Sequence, residues 1–244
     1  MNFSDHDFVK DSQNSVDVIV PSYLEHEVVA LCVQRIFDSF VNKNYVCKVI
    51  VVIDGQDEAA VIALNRLQNE RVDVIQLDTN QGKGAALRSG IKVSEASYVA
   101  FIDADLDIHP DAICVGLDLL QNDETLMGVY GSKVHPESFV SYPFTRRFMS
   151  FGFRLFLRAI LNLNVTDTQT GLKVFRSAGL KDVLDESNEN GYLFDLEILM
   201  LLSRRNYRFA PVPITLDYQF DSNIKVSTAW KMIRQSLAVR KKFR

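Results

Sequence analysis

The strongest constraint on how this chain can fold is a repeating alternation in its first half. Four short runs rich in β-branched residues occur at 16–21 (VDVIVP), 46–54 (VCKVIVVID), 72–77 (VDVIQL) and 98–105 (YVAFIDAD). Between them, residues 27–40, 57–69 and 84–94 carry apolar side chains at helical spacing. Strand, helix, strand, repeated, predicts βαβ units with right-handed crossovers. The fold class is therefore α/β, a mainly parallel sheet flanked by helices. Ligands of such sheets gather at the carboxyl ends of the strands, where the loops converge. That singles out 21–25, 54–57, 80–84 and 103–107, all of them polar or glycine-rich.

The second half changes character. Residues 139–156 hold six of the 16 phenylalanines, and the sequence TDTQTGLKVF then reads as a loop running into a strand. A helix over 194–205, a strand over 208–214 and a basic helix from Val226 complete the expected elements. No internal repeat or low-complexity linker is visible. The reading is a flexible N-terminus (1–15), one domain (16–225) and a basic C-terminal helix (226–244).

Composition excludes several classes. With 47% hydrophobic and 24% charged residues over 244, the chain is neither disordered, collagenous nor a coiled coil. A net charge of −4 does not favour nucleic acid as a partner. Cys32, Cys47 and Cys114 are few and widely spaced, which reads as core thiols in a reducing compartment rather than a disulfide framework. The polar start has no secretory h-region. No run approaches the roughly 18 apolar residues of a spanning helix.

Two motifs carry chemistry. Asp103, Asp105 and Asp107 alternate at a strand exit, where several carboxylates can face one hard cation such as Mg²⁺ or Mn²⁺. The competing reading is an acidic loop capping the helix that begins near Pro110. In Asn80-Gln-Gly82-Lys83-Gly84 the glycines allow a close backbone approach, and a helix N-terminus with Lys83 favours phosphate. The competing reading there is a helix start with a flexible turn. The segment is not a Walker loop, because no Ser or Thr follows Lys83.

In order along the chain, PSYLE (21–25), VVIDG (51–55), NQGKGAALRSG (80–90), DADLD (103–107), GSK (131–133), DTQTGLKVF (167–175) and FDLEIL (194–199) resemble the motifs of family 2 glycosyltransferases. Within that family the chain is similar to the polyprenyl-phosphate (dolichyl-phosphate) mannosyl- and glucosyltransferases. The resemblance implies a GT-A fold and an inverting transfer of hexose from GDP-mannose or UDP-glucose to a polyprenyl phosphate. It also implies Pro21, Tyr23, Glu25 and Asp54 at the base and ribose, and Lys83 close to the nucleotide. Asp103, Asp105 and Asp107 would place Mg²⁺ or Mn²⁺ on the diphosphate. Lys133, Arg147 and Lys173 would form a cationic shell, with Asp167 and Asp195 as candidate bases or as orienters of Lys173 and Arg176. For Asp195 and Glu197 the competing reading is charge complementing a helix dipole. His109 and His135 read as turn or surface residues. The chain departs from the family pattern at Leu24, Ile53 and Gln56, all in the implied base pocket, and more mildly at Thr170 and Leu172. Two other readings are a family 2 transferase acting on a saccharide hydroxyl and a non-catalytic nucleotide-sugar-binding subunit.

Charge is unevenly spread. Residues 142–164 carry +4 and residues 230–244 carry +6, with no acids in either segment. The rest therefore sums to −4 − 10 = −14. Basic helices with Phe, Trp and Leu on the other face suit an anionic membrane surface. The competing reading is a helix packed on the core with its basic residues in solvent. The expectation is a cytoplasmic protein, peripheral at the inner face of a membrane, attached by itself or through an integral-membrane partner.

Overall fold

The computed structural model describes residues 14–141, 167 and 170–217. The expected alternation is present. It runs β1 (Ser15–Ser22), α1 (Val29–Ser39), β2 (Val46–Ile53), α2 (Glu58–Asn65), β3 (Val72–Gln76), α3 (Lys83–Val93) and β4 (Tyr98–Phe101). There follow α4 (Asp111–Asn122), β5 (Leu126–Ser132), β6 (Phe139–Ser141), β7 (Lys173–Arg176), α5 (Ser177–Leu184), α6 (Phe194–Arg204), β8 (Arg208–Pro213) and β9 (Thr215–Asp217). Seven strands form one sheet in the order β3-β2-β1-β4-β7-β5-β8, and β6 pairs with β9 separately. Residues 1–13, 142–166, 168–169 and 218–244, including most of the N-terminal segment, the Phe-rich segment with Arg147 and the basic C-terminal segment, lie outside the described residues.

Period-two alternation divides the core between the two faces of the sheet. Val16, Val18 and Val20 of β1, Val49, Val51 and Ile53 of β2, and Val174 of β7 pack with α1, α2 and α4 on one face. Ile19, Ile50, Val52, Val99, Phe101 and Phe175 pack with α3, α5 and α6 on the other. The three cysteines are free and buried in the first of these layers, as core thiols should be.

The connectivity places the site. From β1 the chain winds outward through β2 to β3, then returns to lay β4 on the opposite side of β1. Strand order reverses there, which opens a crevice at the carboxyl ends of β1 and β4. Next to β4, β7 runs antiparallel to both β4 and β5. Its first residue, Lys173, pairs with Phe101 and Tyr130, so an antiparallel start meets parallel ends.

Beyond β6, α5 and β9, which the sequence pattern does not single out, two elements differ from it. The fourth strand ends at Phe101 rather than Asp105, because the acidic residues turn out of the sheet, with Leu106 at φ +63°. The second is β5, which the pattern does not single out because Gly128 and Gly131 dilute its apolar run. A Cβ on Gly128 would stand 2.6 Å from the Phe175 ring, so the strand requires the glycine that masks it.

Helix α3 lies close against β1 because Gly90 faces Ile19. A Cβ there would come within 2.6 Å of Ile19 Cγ2. Gly90→Ala should therefore cost about 1–3 kcal/mol through overpacking. The check is a lower urea midpoint at unchanged m-value.

Candidate active site

The glycine-rich turn before α3 is held from two sides. Both oxygens of buried Asp54, at the exit of β2, accept backbone N–H groups: Gln81 at 2.7 Å and Gly82 at 2.8 Å. From the other side, the Asn190 carbonyl accepts the N–H of Gly84 at 2.8 Å and of Ala85 at 3.2 Å. Gly82 has φ +102°, and a Cβ on it would lie 2.3 Å from the Asn190 oxygen. This corrects the expectation of a helix N-terminus open to phosphate. The glycines admit the chain's own backbone, and the first-turn donors of Gly84 and Ala85 are already used.

What this turn presents to the crevice is the Lys83 side chain. Its Nζ lies 2.5 Å from Asp103 Oδ1, after β4, and 3.8 Å from Asp195 Oδ2, in the first turn of α6. The other oxygen of Asp195 lies 3.4 Å from Lys173 Nζ. Lys173 is fully buried and also donates to the Thr170 carbonyl at 2.6 Å. An unbroken chain of charges therefore runs Lys173, Asp195, Lys83, Asp103. Burial alone would lower the pKa of Lys83, but Asp103 and Asp195 raise it above the ordinary lysine value. Burial dominates at Lys173 and lowers it.

Beyond the lysines the site is acidic. Glu25, in the turn after β1, is pushed up to about 8 by burial and by Asp105 and Asp103. Asp105 is pushed up to about 6 by burial and by Asp103. Carboxylates that resist ionising beside one another mark a place where an added cation would be stabilised. A hard divalent ion suits such an all-oxygen donor set. As the side chains stand, no group of three or more His, Cys, Asp or Glu among the described residues is gathered to hold a metal. Asp103 is turned to Lys83, and Asp105 Oδ1 accepts the Asp107 N–H at 3.0 Å.

The alternating acids, the lysine-bearing turn and the switch-point crevice lie within one sequence family. The model of Glycosyl transferase family 2 matches residues 17–184. The chain belongs to this family. It is 25% identical over 235 residues to the dolichyl-phosphate beta-glucosyltransferase of Saccharomyces cerevisiae, covering 88% of this chain and 70% of that one. It is 28% identical over 215 residues to the enzyme of the same name from Homo sapiens, covering 82% and 64%. Among solved structures it resembles glucosyl-3-phosphoglycerate synthase from Mycobacterium tuberculosis in complex with UDP. There the TM-score is 0.72 at 17% identity, covering 98% of this chain and 84% of that one. A second structure of that synthase, with Mn²⁺, UDP-glucose and phosphoglyceric acid, superposes with a TM-score of 0.72 at 18% identity, covering 95% and 80%. These likenesses identify the fold as GT-A.

The remaining site residues separate into two groups. Pro21, the next-to-last residue of β1, is half-buried, and Tyr23 just beyond the strand is 53% exposed. Lys133 follows β5, and its backbone N–H donates to the buried Asp167 carboxylate at 3.0 Å, so Asp167 anchors that loop. His109 and His135 lie in loops, engaged with their near neighbours Asp111 and Glu137. Glu197 does more than complement a helix dipole. Its Oε2 accepts Ser187 Oγ and the N–H groups of Asn188 and Glu189, at 2.7, 3.0 and 2.8 Å. Arg88, which the sequence reading passed over, donates to Asn190 Oδ1, to the Ser187 carbonyl and hydroxyl, and to the Glu189 carbonyl. The signal was present in the arginine of NQGKGAALRSG, but its partners lie about a hundred positions away.

Asp195→Ala would leave the buried Lys173 ammonium without its carboxylate. A loss of about 3–5 kcal/mol is expected. The double variant Lys173→Met/Asp195→Leu, which removes both charges, should recover most of it in urea unfolding.

Proposed function

We propose that this chain is an inverting, metal-dependent hexosyltransferase that moves glucose from UDP-glucose to a polyprenyl phosphate at a membrane face. The observation that carries this reading is the position of Asp195. Its two oxygens are turned to Lys83 and Lys173, so Asp195 acts as their ion-pair partner rather than reaching toward an acceptor hydroxyl. An acceptor phosphate is already an anion and needs no base, only cations to position it; Lys83 and Lys133 would do so, with Lys173 buried behind Asp195. The names of the yeast and human relatives support the lipid phosphate and favour glucose. The synthase crystallised with Mn²⁺ and UDP-glucose supports the donor and a divalent ion.

In the transfer, a phosphate oxygen of the acceptor attacks the anomeric carbon from the face opposite the leaving group. The bond from that carbon to the nucleoside diphosphate breaks, and the diphosphate keeps the electron pair. Pro21, Tyr23 and Glu25 line the entry for the base and ribose, while Asp54 holds the turn that aims Lys83. Lys83 and Lys173 oppose the negative charge that develops on the diphosphate. Asp103, Asp105 and Asp107 would hold a divalent cation. Such an ion would supply further positive charge to the departing diphosphate.

The experiment is incubation with UDP-glucose or GDP-mannose, Mg²⁺ or Mn²⁺, and a short polyprenyl phosphate, with a saccharide acceptor in parallel. The mass of the lipid product should rise by one hexose. Asp105→Ala should abolish that product in a folded protein, and so should chelation of the metal. Full transfer in chelator refutes the metal role, and transfer to the saccharide alone refutes the phosphate acceptor.

Membrane contact is a separate part of the proposal. No helix among the described residues is long and apolar enough to cross a membrane. The +6 segment at 230–244 is the candidate surface anchor. Deleting residues 240–244 should weaken binding to anionic vesicles, and the deficit should shrink as salt rises. Equal binding by the truncated chain refutes the anchor.

A further inference from the structure

The segment between α5 and α6, residues 187–191, lies as a strap across the N-terminus of α3. Its backbone is bound on both sides. Glu197, 2% exposed in α6, gathers three donors from the strap onto one oxygen. Arg88 of α3 reaches four of its acceptors at 2.6 to 3.1 Å, and its guanidinium lies 5.3 Å from the centroid of the Phe194 ring. Within the strap, Glu189 Oε1 accepts the Gly191 N–H at 2.9 Å. The strap's Asn190 carbonyl in turn takes the N–H groups of Gly84 and Ala85.

We propose that Arg88 and Glu197 are positioning residues for sugar transfer, which brace this strap so that its cap on α3 fixes the aim of Lys83. The proposal rests on the transferase reading above. The geometry gives it a direction. Lys83 is the first residue of α3, between the two glycines that touch the strap. With Asp54 gripping residues 81 and 82 on one side and Asn190 gripping 84 and 85 on the other, the lysine backbone has little freedom to move. Glu197 lies two positions after Asp195, so the same turn of α6 that holds the strap also presents the carboxylate between the two lysines. Loosening the strap would free both partners of one ion pair. Groups that orient a functional side chain from behind typically change activity ten- to a hundredfold when removed.

The test uses the full-length chain and the variants Glu197→Gln and Arg88→Met. Ile36→Val serves as a control, since it trims the core on the opposite face of the sheet. Both strap variants should lose about ten- to a hundredfold in kcat/KM for lipid glucosylation, while Ile36→Val stays near wild type. In a Lys83→Ala background the Arg88→Met substitution should cost little more, because its effect passes through that lysine. Undiminished activity in both strap variants overturns the proposal, and so do fully additive losses in the double variant. Amide hydrogen exchange provides a second readout, independent of turnover. Exchange at Gly84 and Ala85 should speed up in Arg88→Met and not in Ile36→Val; unchanged exchange overturns the brace. A wild-type chain that transfers no sugar overturns the reaction assignment, and the exchange comparison then decides the brace by itself.

Discussion

A lysine buried to zero exposure cannot remain charged without a counter-ion, and much of this architecture is arranged around giving Lys173 one. The carboxylate has to come from a helix on the face of the sheet that Lys173 points to, and α6 supplies it through Asp195. Asp195 then has a second oxygen to satisfy, which Lys83 of α3 approaches, and Lys83 also binds Asp103 at the exit of β4. Four residues spaced over 113 positions are drawn into one line by this sequence of requirements. The antiparallel course of β7 is what makes the line possible. Were it parallel, Lys173 would sit at the opposite end of the sheet from the acidic turn.

The same economy governs the backbone around the site. Loops at strand ends leave N–H groups unpaired, and buried donors without partners are costly. Here Asp54 and Glu197, two buried carboxylates, take up five such donors between them, four from the backbone and one from Ser187. They spend their charge on holding loops, which leaves Glu25 and Asp105 as the carboxylates whose ionisation is disfavoured in place. Acidic residues that look alike in the sequence therefore do different work. Some hold loops because N–H groups surround them, and others resist ionisation because burial and like charges surround them.

That distinction marks the limit of what could be read in the sequence. The four βα repeats, the placing of the site at the strands' carboxyl ends and the two motif turns follow from periodicity, glycine placement and polarity, all of which are local. Asp54 was legible as a site residue but not as a clamp, since its partners at 81 and 82 are reached only after β3 folds alongside β2. Arg88 and Glu197 were harder still. On a helix, charged residues usually face solvent, and nothing nearby in the chain indicates that the strap covers these two. The strand β5 was hidden for a packing reason, because close contact with Phe175 demands a glycine where a β-branched residue would have announced it.

The two turns that carry the acidic residues also differ in how packing supports them. Each passes through a left-handed leucine, Leu24 at φ +57° and Leu106 at φ +63°, a conformation that costs a non-glycine residue about 1–2 kcal/mol. Leu106 is only 4% exposed and belongs to the core layer under α1 and α4, so packing offsets its strain and fixes the acidic turn. Leu24 is 60% exposed and has no such compensation. Its turn is held by the Glu25 carbonyl, which accepts the N–H groups of Val28 and Val29 at 3.0 Å each. The acidic triplet is consequently anchored to the core at the end of the central strand β4, while Tyr23 and Leu24 form an apolar, solvent-facing rim. An asparagine would tolerate this backbone better than leucine does. The chain thus gives up local stability at the rim of the crevice while keeping the acidic turn over-determined.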